Sequence, residues 1–469
     1  MKYVSTRGEA AELGFEDVLL AGLARDGGLY VPKTWPQLSA AQIAGLAGRP
    51  FHEVAAEVIE PLSGGAIPRA ELARMTRDAY ATFGHPAVTP LVQIAPYRFV
   101  LELFHGPTLA FKDVAMQLLA RLMDYVLAKR GERATIVGAT SGDTGGAAIE
   151  AFRGSARADV FILFPDGRVS DVQRRMMTCP QDTNVHAIAI AGTFDDAQAR
   201  VKDLFNHLAF RDRVRLSGVN SINWARIAAQ VTYYFAAATA LGSPHRRVTF
   251  AVPTGNFGDI FAGYVARRMG LPIDLVIATN ANDILARTHK EGRYEVRGVE
   301  PTSSPSMDIQ VSSNFERYLF EATRRDAGAV RAMMAALKQS GRFELGAAHG
   351  AMIADFGADA ASEREVAAAI VATHRASGYM LDPHTACAAV ALDKARAQGG
   401  TEVVLATAHP AKFPDAMHAI LGTRPGLPPR LAGHMTDPER ITRLPNDGGA
   451  IERFVETHAR ATPGGASAR

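Results

Sequence analysis

The chain has 469 residues, which is longer than one hydrophobic core usually supports, so we expect two or three domains around a shared cleft. Hydrophobic residues make up 47% and charged residues 21%, an ordinary balance for a folded globular protein that excludes wholesale disorder. The formal net charge of +3 is too small for a protein that works by neutralising nucleic-acid phosphates, so we expect no nucleic-acid partner.

The cysteines and the N-terminal segment bear on the compartment. The chain has only two cysteines, Cys179 and Cys387, which fits a reducing compartment and excludes a disulfide scaffold or a multi-cysteine zinc site. The N-terminal segment lacks the apolar region of a signal peptide, and no segment approaches the roughly 20 apolar residues that cross a bilayer. We therefore expect a cytoplasmic protein with no membrane partner.

In chain order, the first predicted unit is helical. Apolar residues recur at helical spacing between residues 9 and 94, around Phe15–Leu20 and again in Phe51–Leu62. After residue 96, short β-branched runs alternate with amphipathic segments, which is typical of βαβ units around a mainly parallel sheet. The predicted strands are Thr135–Val137, Val160–Leu163, Val185–Ile190, Val248–Val252, Leu275–Ala278 and Val403–Ala406. The predicted helices are Ala147–Phe152, Asp195–Leu208, Ala225–Ala240 and Ile260–Met269.

Two of the predicted strands end in glycine-rich turns that open into helices, an arrangement in which backbone N–H groups face an anion. The first turn is GATSGDTGG at residues 138–146, and the second is PTGNFGD at residues 253–259. Neither matches the Walker A or the G-x-G-x-x-G pattern, so a nucleoside triphosphate or a dinucleotide loses support as ligand. Each turn could instead hold a carboxylate or a phosphate, although a glycine-rich turn taken alone is as often purely structural.

A lysine lies ahead of the first turn. Lys112 stands in the segment HGPTLAFKD, after small and apolar residues and before a helix-like run. Burial lowers the pKa of an amine and makes it a better nucleophile toward an aldehyde, which is what a Schiff-base lysine requires. From this segment alone, an exposed lysine at the start of a helix is the commoner case.

Taken together and in this order, the segments resemble the threonine synthase family of fold type II pyridoxal-5'-phosphate (PLP) enzymes. Four segments are similar to the family's cofactor-lysine segment, substrate-carboxylate loop, cofactor-phosphate loop and pyridine-ring segment: HGPTLAFKDVAMQ, GATSGDTGGAA, VPTGNFGDI and ATAHPAKFP. Further family-like segments are MKYVSTRG, DGGLYVP, NSINWARIAAQVTYY and LDPHTACAA. The resemblance covers nearly the whole chain apart from the C-terminal tail.

The resemblance implies an α/β fold like that of the tryptophan synthase β chain. A mostly helical N-terminal domain would span residues 1–95. A smaller α/β domain at 96–215 would carry the cofactor lysine and the carboxylate loop, and a larger one at 216–460 would carry the phosphate loop, both with mainly parallel sheets. Residues 461–469 are a low-complexity tail that we expect to be flexible.

The resemblance also implies roles in cofactor binding. Lys112 would hold PLP as a Schiff base and would shuttle protons once the substrate displaces it. Thr407 would meet the pyridine nitrogen through its hydroxyl. Because a neutral hydroxyl does not keep that nitrogen protonated, the cofactor ring would withdraw electrons less strongly than a protonated one. The other implied cofactor contacts are Gly255, Asn256, Phe257, Gly258, Asp259 and Asp143.

The substrate carboxylate and the 3-oxygen of the cofactor ring would lie against the first glycine-rich turn. The implied contacts there are Thr140, Ser141, Gly142 and Thr144. Related fold type II enzymes often have Asn at the position of Asp143, whereas the form with Asp resembles one branch of the threonine synthases. An acid beside a carboxylate costs free energy unless it is protonated or turned away.

The phosphate of the substrate needs cationic groups. The candidates are Arg226, Lys412 and the pair Arg174 and Arg175, with Asn220, Ser221 and Asn223 as uncharged partners. Three histidines, His105, His384 and His409, also lie in family-like segments, but a lone histidine is more often structural. No histidine and carboxylate spacing resembles a zinc site, so we expect no metal.

The implied activity is a PLP-dependent lyase reaction, the conversion of O-phospho-L-homoserine and water to L-threonine and phosphate by β,γ-elimination and replacement. This is the last step of threonine biosynthesis. The nearest competing activity is that of a threonine synthase-like phospho-lyase, which releases 2-oxobutyrate and ammonia. The chain could also be a relative such as threonine dehydratase or cysteine synthase, which needs no second phosphate pocket, or a catalytically silent binding protein with the same fold. We expect a monomer or a homodimer.

Overall fold

The computed structural model describes residues 1–395 and 400–461. All but the first residue of the predicted flexible tail lies outside the described residues. None of the helices within these two ranges is both long and apolar enough to span a membrane.

A mostly helical unit forms the N-terminal part of the chain. Its elements are β1 (Tyr3–Ser5), α1 (Phe15–Ala21), β2 (Tyr30–Pro32), α2 (Ala40–Ala44), α3 (Phe51–Ser63) and α4 (Arg69–Tyr80). Helix α3 buries Val54, Val58 and Leu62, which recur every four residues along one face. The apolar residues whose spacing predicted this helix are therefore the residues that it buries in the core.

The rest of the chain alternates strands and helices. The remaining strands are β3 (Leu91–Ala95), β4 (Arg98–Glu102), β5 (Ala134–Ala139), β6 (Ala158–Pro165), β7 (Val185–Ile190), β8 (Leu216–Ser217), β9 (Val248–Pro253), β10 (Ile273–Thr279), β11 (Arg293–Glu295), β12 (Arg342–Glu344), β13 (Gly357–Ala360), β14 (Thr401–Ala406) and β15 (Thr442–Leu444). The remaining α-helices are α5 (Lys112–Arg130), α6 (Asp143–Phe152), α7 (Asp171–Thr178), α8 (Phe194–Asn206), α9 (Leu208–Arg213), α10 (Trp224–Ala240), α11 (Gly258–Arg268), α12 (Ile284–Glu291), α13 (Phe315–Ala322), α14 (Ala327–Ser340), α15 (Ala348–Asp355), α16 (Glu363–Ser377), α17 (Pro383–Lys394), α18 (Pro414–Leu421) and α19 (Gly448–His458). Short 3-10 helices span Pro305–Met307, Pro410–Lys412 and Pro429–Met435.

Two mainly parallel sheets organise these elements, as predicted. The six-stranded sheet has the order β13-β10-β9-β14-β4-β3, and all of its neighbours are parallel except β3 and β4. The five-stranded sheet has the order β15-β7-β6-β5-β8 and is parallel throughout. Every residue of β6 is buried, as expected for a strand that helices cover on both faces.

The predicted elements are present with shifted ends. Helix α6 begins at Asp143 rather than Ala147, because Gly145 and Gly146 belong to the helix and not to the turn. A Cβ atom at Gly145 would lie 2.4 Å from the side chain of Thr140, so the glycine permits close packing there. The predicted helix Asp195–Leu208 is divided at His207, whose φ of −79° and ψ of 84° are not helical.

The sheets cross the predicted domain boundaries. Strand β3, in the predicted N-terminal domain, and β4, in the predicted smaller domain, both belong to the six-stranded sheet. Strand β15, in the predicted larger domain, pairs with β7 in the five-stranded sheet. A strand joins whichever sheet edge offers it hydrogen-bond partners, so position in the chain alone does not place it.

Candidate active site

A cavity of about 300 Å³ is lined by the C-terminal ends of β5 and β9. Ligands of open α/β sheets bind at this end of the strands. The sequence-predicted residues on its wall are Lys112, Thr144, Asn220, Ser221, Arg226, Gly255, Asn256, Phe257, Gly258, Asp259 and Thr407. The structure thus brings most of the candidate residues together from segments far apart in the chain.

Lys112 is the first residue of α5, and its side chain is 12% exposed. Its Nζ atom lies 4.8 Å from the centre of the Phe111 ring. Burial lowers the pKa of Lys112; Asp143 opposes this shift, while the charges of Lys412 and Arg226 add to it. A buried amine with a lowered pKa is suited to react with an aldehyde.

The lysine segment is tied to the segment after β14. The backbone N–H of Phe111 donates to the carbonyl of Thr407 at 2.9 Å, and Ala110 and Ala408 form an antiparallel bridge. These contacts place Thr407 and Lys112 on the same cavity wall.

The second glycine-rich turn leaves a row of backbone N–H groups free. Within the described parts of the chain, the backbone N–H groups of residues 255–259 have no hydrogen-bond partner. Phe257 has a φ of 61°, and α11 begins at the next residue, so the helix N-terminus adds its positive end. A Cβ atom at Gly255 would lie 2.9 Å from the carbonyl oxygen of Ser306, so any larger residue would displace the turn.

Asp259 belongs to this turn, but its carboxylate is held by the protein. The hydroxyl of Tyr234 donates to Oδ1 at 2.9 Å, and the hydroxyl of Tyr233 donates to the same atom. Burial raises the pKa of Asp259 to about 6, which these two hydrogen bonds partly oppose.

The first glycine-rich turn is shaped by its own side chains. The hydroxyl oxygen of Thr140 accepts from the N–H groups of Gly142 at 2.9 Å and of Gly145 at 3.0 Å. The N–H groups of Ser141, Asp143 and Thr144 have no partner among residues 1–395 and 400–461, so they can face an anion. Thr140, Ser141 and Gly142 do not line the cavity wall, whereas Thr144 does.

The carboxylate of Asp143 lies at the centre of a buried cluster. Lys412 Nζ lies 2.6 Å from Oδ1 and Lys112 Nζ lies 3.5 Å from Oδ2. Gln173 Nε2 donates to Oδ1 at 2.8 Å, and the hydroxyl of Ser306 donates to Oδ2 at 3.2 Å. Burial alone would raise the pKa of Asp143, but the two lysines outweigh burial and hold that pKa well below its ordinary value.

Four of the residues considered for the substrate phosphate also lie off the cavity wall. Lys412 is 1% exposed and donates to the carbonyl of Thr108 at 2.8 Å as well as pairing with Asp143. Asn223 caps α10, where its Oδ1 accepts from the N–H of Ala225 at 3.0 Å. Arg174 and Arg175 lie on α7 and pair with Glu439 at 3.0 and 3.4 Å.

Arg226 is the cationic candidate that reaches the cavity. It is 2% exposed, and one terminal nitrogen donates to the carbonyl of Val219 at 3.2 Å. Its Nε has no hydrogen-bond partner among the described residues. Burial lowers the pKa of Arg226 to about 10, so the guanidinium stays charged at neutral pH.

Several residues of the site carry no signal in the sequence motifs. Lys202, together with Phe194 and Gln198 on the same face of α8, lines the cavity. Lys202 is exposed and has no hydrogen-bond or ion-pair partner among the described residues. The spacing of these three residues by four positions could have pointed to a shared helix face.

The three histidines are held by structural hydrogen bonds. His105 pairs with Glu102 at 2.7 Å, and His409 caps the 3-10 helix at Pro410–Lys412. His384 lines the cavity, accepts from the N–H of Ser306 at 3.3 Å and pairs with Asp382 at 2.9 Å. Within the described residues, no group of three or more His, Cys, Asp or Glu side chains could hold a metal ion.

The site as a whole fits PLP. One wall offers a buried amine for the aldehyde, free N–H groups for the phosphate and the hydroxyl of Thr407 for the ring nitrogen. These are the donor types that the three polar ends of this cofactor require.

Comparison with known proteins agrees with this chemistry. Three family models match the chain: threonine synthase N terminus at residues 2–80, pyridoxal-phosphate dependent enzyme at 83–351, and threonine synthase, C-terminal, at 385–455. The threonine synthase of Pseudomonas aeruginosa is 51% identical over 462 residues, which cover 98% of each chain. That of Methylobacillus glycogenes is 43% identical, and the match covers 98% of this chain and 100% of the relative.

Solved structures give the same result. The PLP-bound threonine synthase of Brucella melitensis superposes with a TM-score of 0.96 at 61% identity, covering 98% of this chain and 100% of the other. Yeast threonine synthase superposes with a TM-score of 0.92 at 38% identity, covering 97% of this chain and 98% of the other. The chain therefore belongs to the threonine synthase family of fold type II PLP enzymes.

Proposed function

We propose that this chain converts O-phospho-L-homoserine and water to L-threonine and phosphate, with PLP as its cofactor. The observation that carries the proposal is that one cavity joins the buried amine of Lys112 to two turns with free backbone N–H groups. Identity to threonine synthases over nearly the full length supports this substrate over those of other fold type II enzymes.

The residues on the cavity wall suggest how the cofactor is held. The N–H groups of residues 255–259 would bind its phosphate, Thr407 would meet its pyridine nitrogen, and Lys112 would bond to its aldehyde carbon. Bound PLP supplies the electron sink that lets a substrate carbon release a proton.

The chain's own groups would then direct the reaction. Lys112 Nζ would accept and return protons at the substrate carbons, because burial lowers its pKa and so favours the neutral amine. Thr144 and the free N–H groups of the first turn would bind and orient the substrate carboxylate. Water must add only after phosphate has left, so closure of the cavity would exclude water before that step.

The substrate phosphate would lie beside Arg226 and Lys202. The lysines and arginines on the cavity wall are Lys112, Lys202 and Arg226, and Lys112 already serves the cofactor. A phosphate monoester carries close to two negative charges near neutral pH, so two cations match it. Asn220 and Ser221 lie on the same wall and would add uncharged hydrogen bonds.

The test is an assay of PLP-loaded protein with O-phospho-L-homoserine, in which released phosphate is measured and the amino-acid product is identified. We expect one threonine for each phosphate, and no turnover by the Lys112→Ala variant because it lacks the amine. Release of 2-oxobutyrate with phosphate would identify a phospho-lyase instead. Absence of phosphate release from correctly folded, PLP-loaded protein would overturn the proposal.

We extend the proposal to compartment and assembly. Cys179 and Cys387 are both buried and unpaired, which suits the reducing cytoplasm. We propose a monomer or a homodimer, which light scattering of the purified protein would distinguish.

A further inference from the structure

The ion pair between Asp143 and Lys412 has no part in the function proposed above. Lys412 does not line the cavity and is 1% exposed, so its amino group faces neither the cavity nor solvent. It lies in the 3-10 helix that follows β14, whereas Asp143 begins α6 at the end of the other sheet. The pair therefore joins the two sheets beside the cofactor lysine.

Two acceptor groups hold the amino group of Lys412 in place. Its Nζ lies 2.6 Å from Asp143 Oδ1 and donates to the carbonyl of Thr108 at 2.8 Å. A carboxylate and a carbonyl are both acceptors, which suits the three N–H donors of an ammonium group. Thr108 lies in the loop that leads to Lys112, so Lys412 also holds that loop.

Lys112 meets the same carboxylate from the other side and at a greater distance, 3.5 Å from Oδ2. The charged groups that act on Lys112 are Asp143 from α6, Lys412 from the turn after β14, Arg226 from α10 and Asp259 from the start of α11. Because Lys412 is the nearer partner, it neutralises much of the field of Asp143 that would otherwise keep Lys112 protonated.

We propose that Lys412 is a positioning residue that holds the Asp143 carboxylate in place and pairs with its charge, so that Asp143 is not available as a full ion-pair partner for the Lys112 amine. The inference rests on the proposed role of Lys112 but not on the identity of the substrate. Lys412 does not line the cavity, and its role would be exerted through Asp143.

The test measures the pKa of Lys112 in cofactor-free protein. The rate of reductive methylation of Lys112 by formaldehyde is followed against pH and resolved from other lysines by peptide mass spectrometry. Lys412→Met should raise the pKa of Lys112 by about one unit or more, which lowers its methylation rate at a fixed pH below that pKa about tenfold. Lys412→Arg keeps the charge and should keep the pKa near that of the unmodified protein.

Lys394→Met is the matched control, since Lys394 is ion-paired with Glu365 at 2.8 Å and does not line the cavity. An unchanged Lys112 pKa in folded Lys412→Met would overturn the proposal, as would an equal rise in Lys412→Arg and Lys412→Met. If Lys412→Met does not fold, Asp143→Asn replaces it: this variant removes the counter-charge, so the Lys112 pKa should fall, and an unchanged value would overturn the proposal. The readout requires no turnover, so it remains interpretable if the O-phospho-L-homoserine assay fails.

Discussion

Arg226 combines burial, a free donor and a place on the cavity wall. Its Nε has no partner among the described residues, although buried polar groups usually have one. A ligand anion would supply that partner. The backbone N–H groups of residues 255–259, which we propose bind the cofactor phosphate, likewise have no partner among the described residues.

Replacing Arg226 tests this interpretation. Arg226→Met should lower kcat/KM for O-phospho-L-homoserine about 10- to 100-fold, because a hydrogen bond to a charged group contributes about 1.5–3 kcal/mol. It should also weaken inhibition by inorganic phosphate. Steady-state kinetics measure both, and Arg246→Met, which replaces an exposed arginine, is the control. Unaltered KM and phosphate inhibition would remove Arg226 from the substrate site.

At the scale of elements, the second glycine-rich turn is packed tightly at Gly255. A Cβ atom there would lie 2.9 Å from the carbonyl oxygen of Ser306, so a side chain would force the turn or the Ser306 segment to move. The 3-10 helix that contains Ser306 also supplies the hydroxyl that donates to Asp143, so one short helix contacts both glycine-rich turns.

Gly255→Val should therefore weaken PLP binding at least about tenfold, since a shift of the turn misaligns several N–H donors at once. PLP binding can be measured by fluorescence titration of cofactor-free protein. Gly350→Val is the control, because a Cβ atom there would meet nothing within 4 Å. Equal affinity in the two variants would contradict the assignment of residues 255–259 to the cofactor phosphate.

Strand β7 carries a pH-sensitive contact with α19. The ring of His186 stacks on Phe161 at 4.4 Å and lies 5.8 Å from Phe454 of α19. Burial lowers the pKa of His186 to about 4, and the nearby charges of His458, Arg440 and Arg460 add to the shift. The folded protein therefore keeps this ring neutral, whereas the unfolded chain binds a proton below about pH 6.5.

Because the pKa of His186 is lower in the folded protein than in the unfolded chain, its neutral ring stabilises the fold above about pH 6.5. This stabilisation is lost as the pH falls toward 4. His186 should therefore lower the free energy of unfolding by about 2 kcal/mol when the pH is lowered from 7 to 5. His186→Phe should remove this part of the acid sensitivity in urea unfolding measured at both pH values. The exposed His245, replaced in the same way, is the control; an identical acid sensitivity in His186→Phe and the original chain would refute the assignment.

At the scale of the whole molecule, Arg317 joins the N-terminal unit to the cavity region. It is fully buried, and burial lowers its pKa to about 9. Its Nε donates to the carbonyl of Tyr30 in β2 at 3.0 Å, and a terminal nitrogen donates to the carbonyl of Ile222 at 2.6 Å. Ile222 directly follows Asn220 and Ser221 of the cavity wall, so the N-terminal unit supports that wall.

Arg317→Met should destabilise the protein by about 3 kcal/mol, because it leaves the buried carbonyl of Tyr30 and the partly buried carbonyl of Ile222 without these donors. The midpoint of urea unfolding measures this loss. Arg342→Met, which replaces an arginine that is 61% exposed, should leave the midpoint nearly unchanged. A midpoint shift no larger than that of the control would show that the carbonyls find other partners.

Much of the fold could be predicted because buried parallel strands and amphipathic helices leave regular apolar patterns. Strand β15 left no such pattern: three residues, Thr-Arg-Leu, take their structure from the edge of β7. The site shows the same contrast. Lys112 and both turns could be singled out only by the order of several family-like segments, whereas Gln173, Ser306 and Lys202 gain their places through tertiary contacts. Sequence also could not show that Lys412 pairs with Asp143.

The bridge between Ala110 and Ala408 has a consequence for how the protein is made. The two residues of the bridge lie 298 positions apart in the chain, from 110 to 408. A nascent chain that has emerged only as far as α17 already carries Lys112 and both glycine-rich turns, but not Thr407 or Lys412. The complete pocket can therefore form only after the ribosome has also delivered the segment that follows β14.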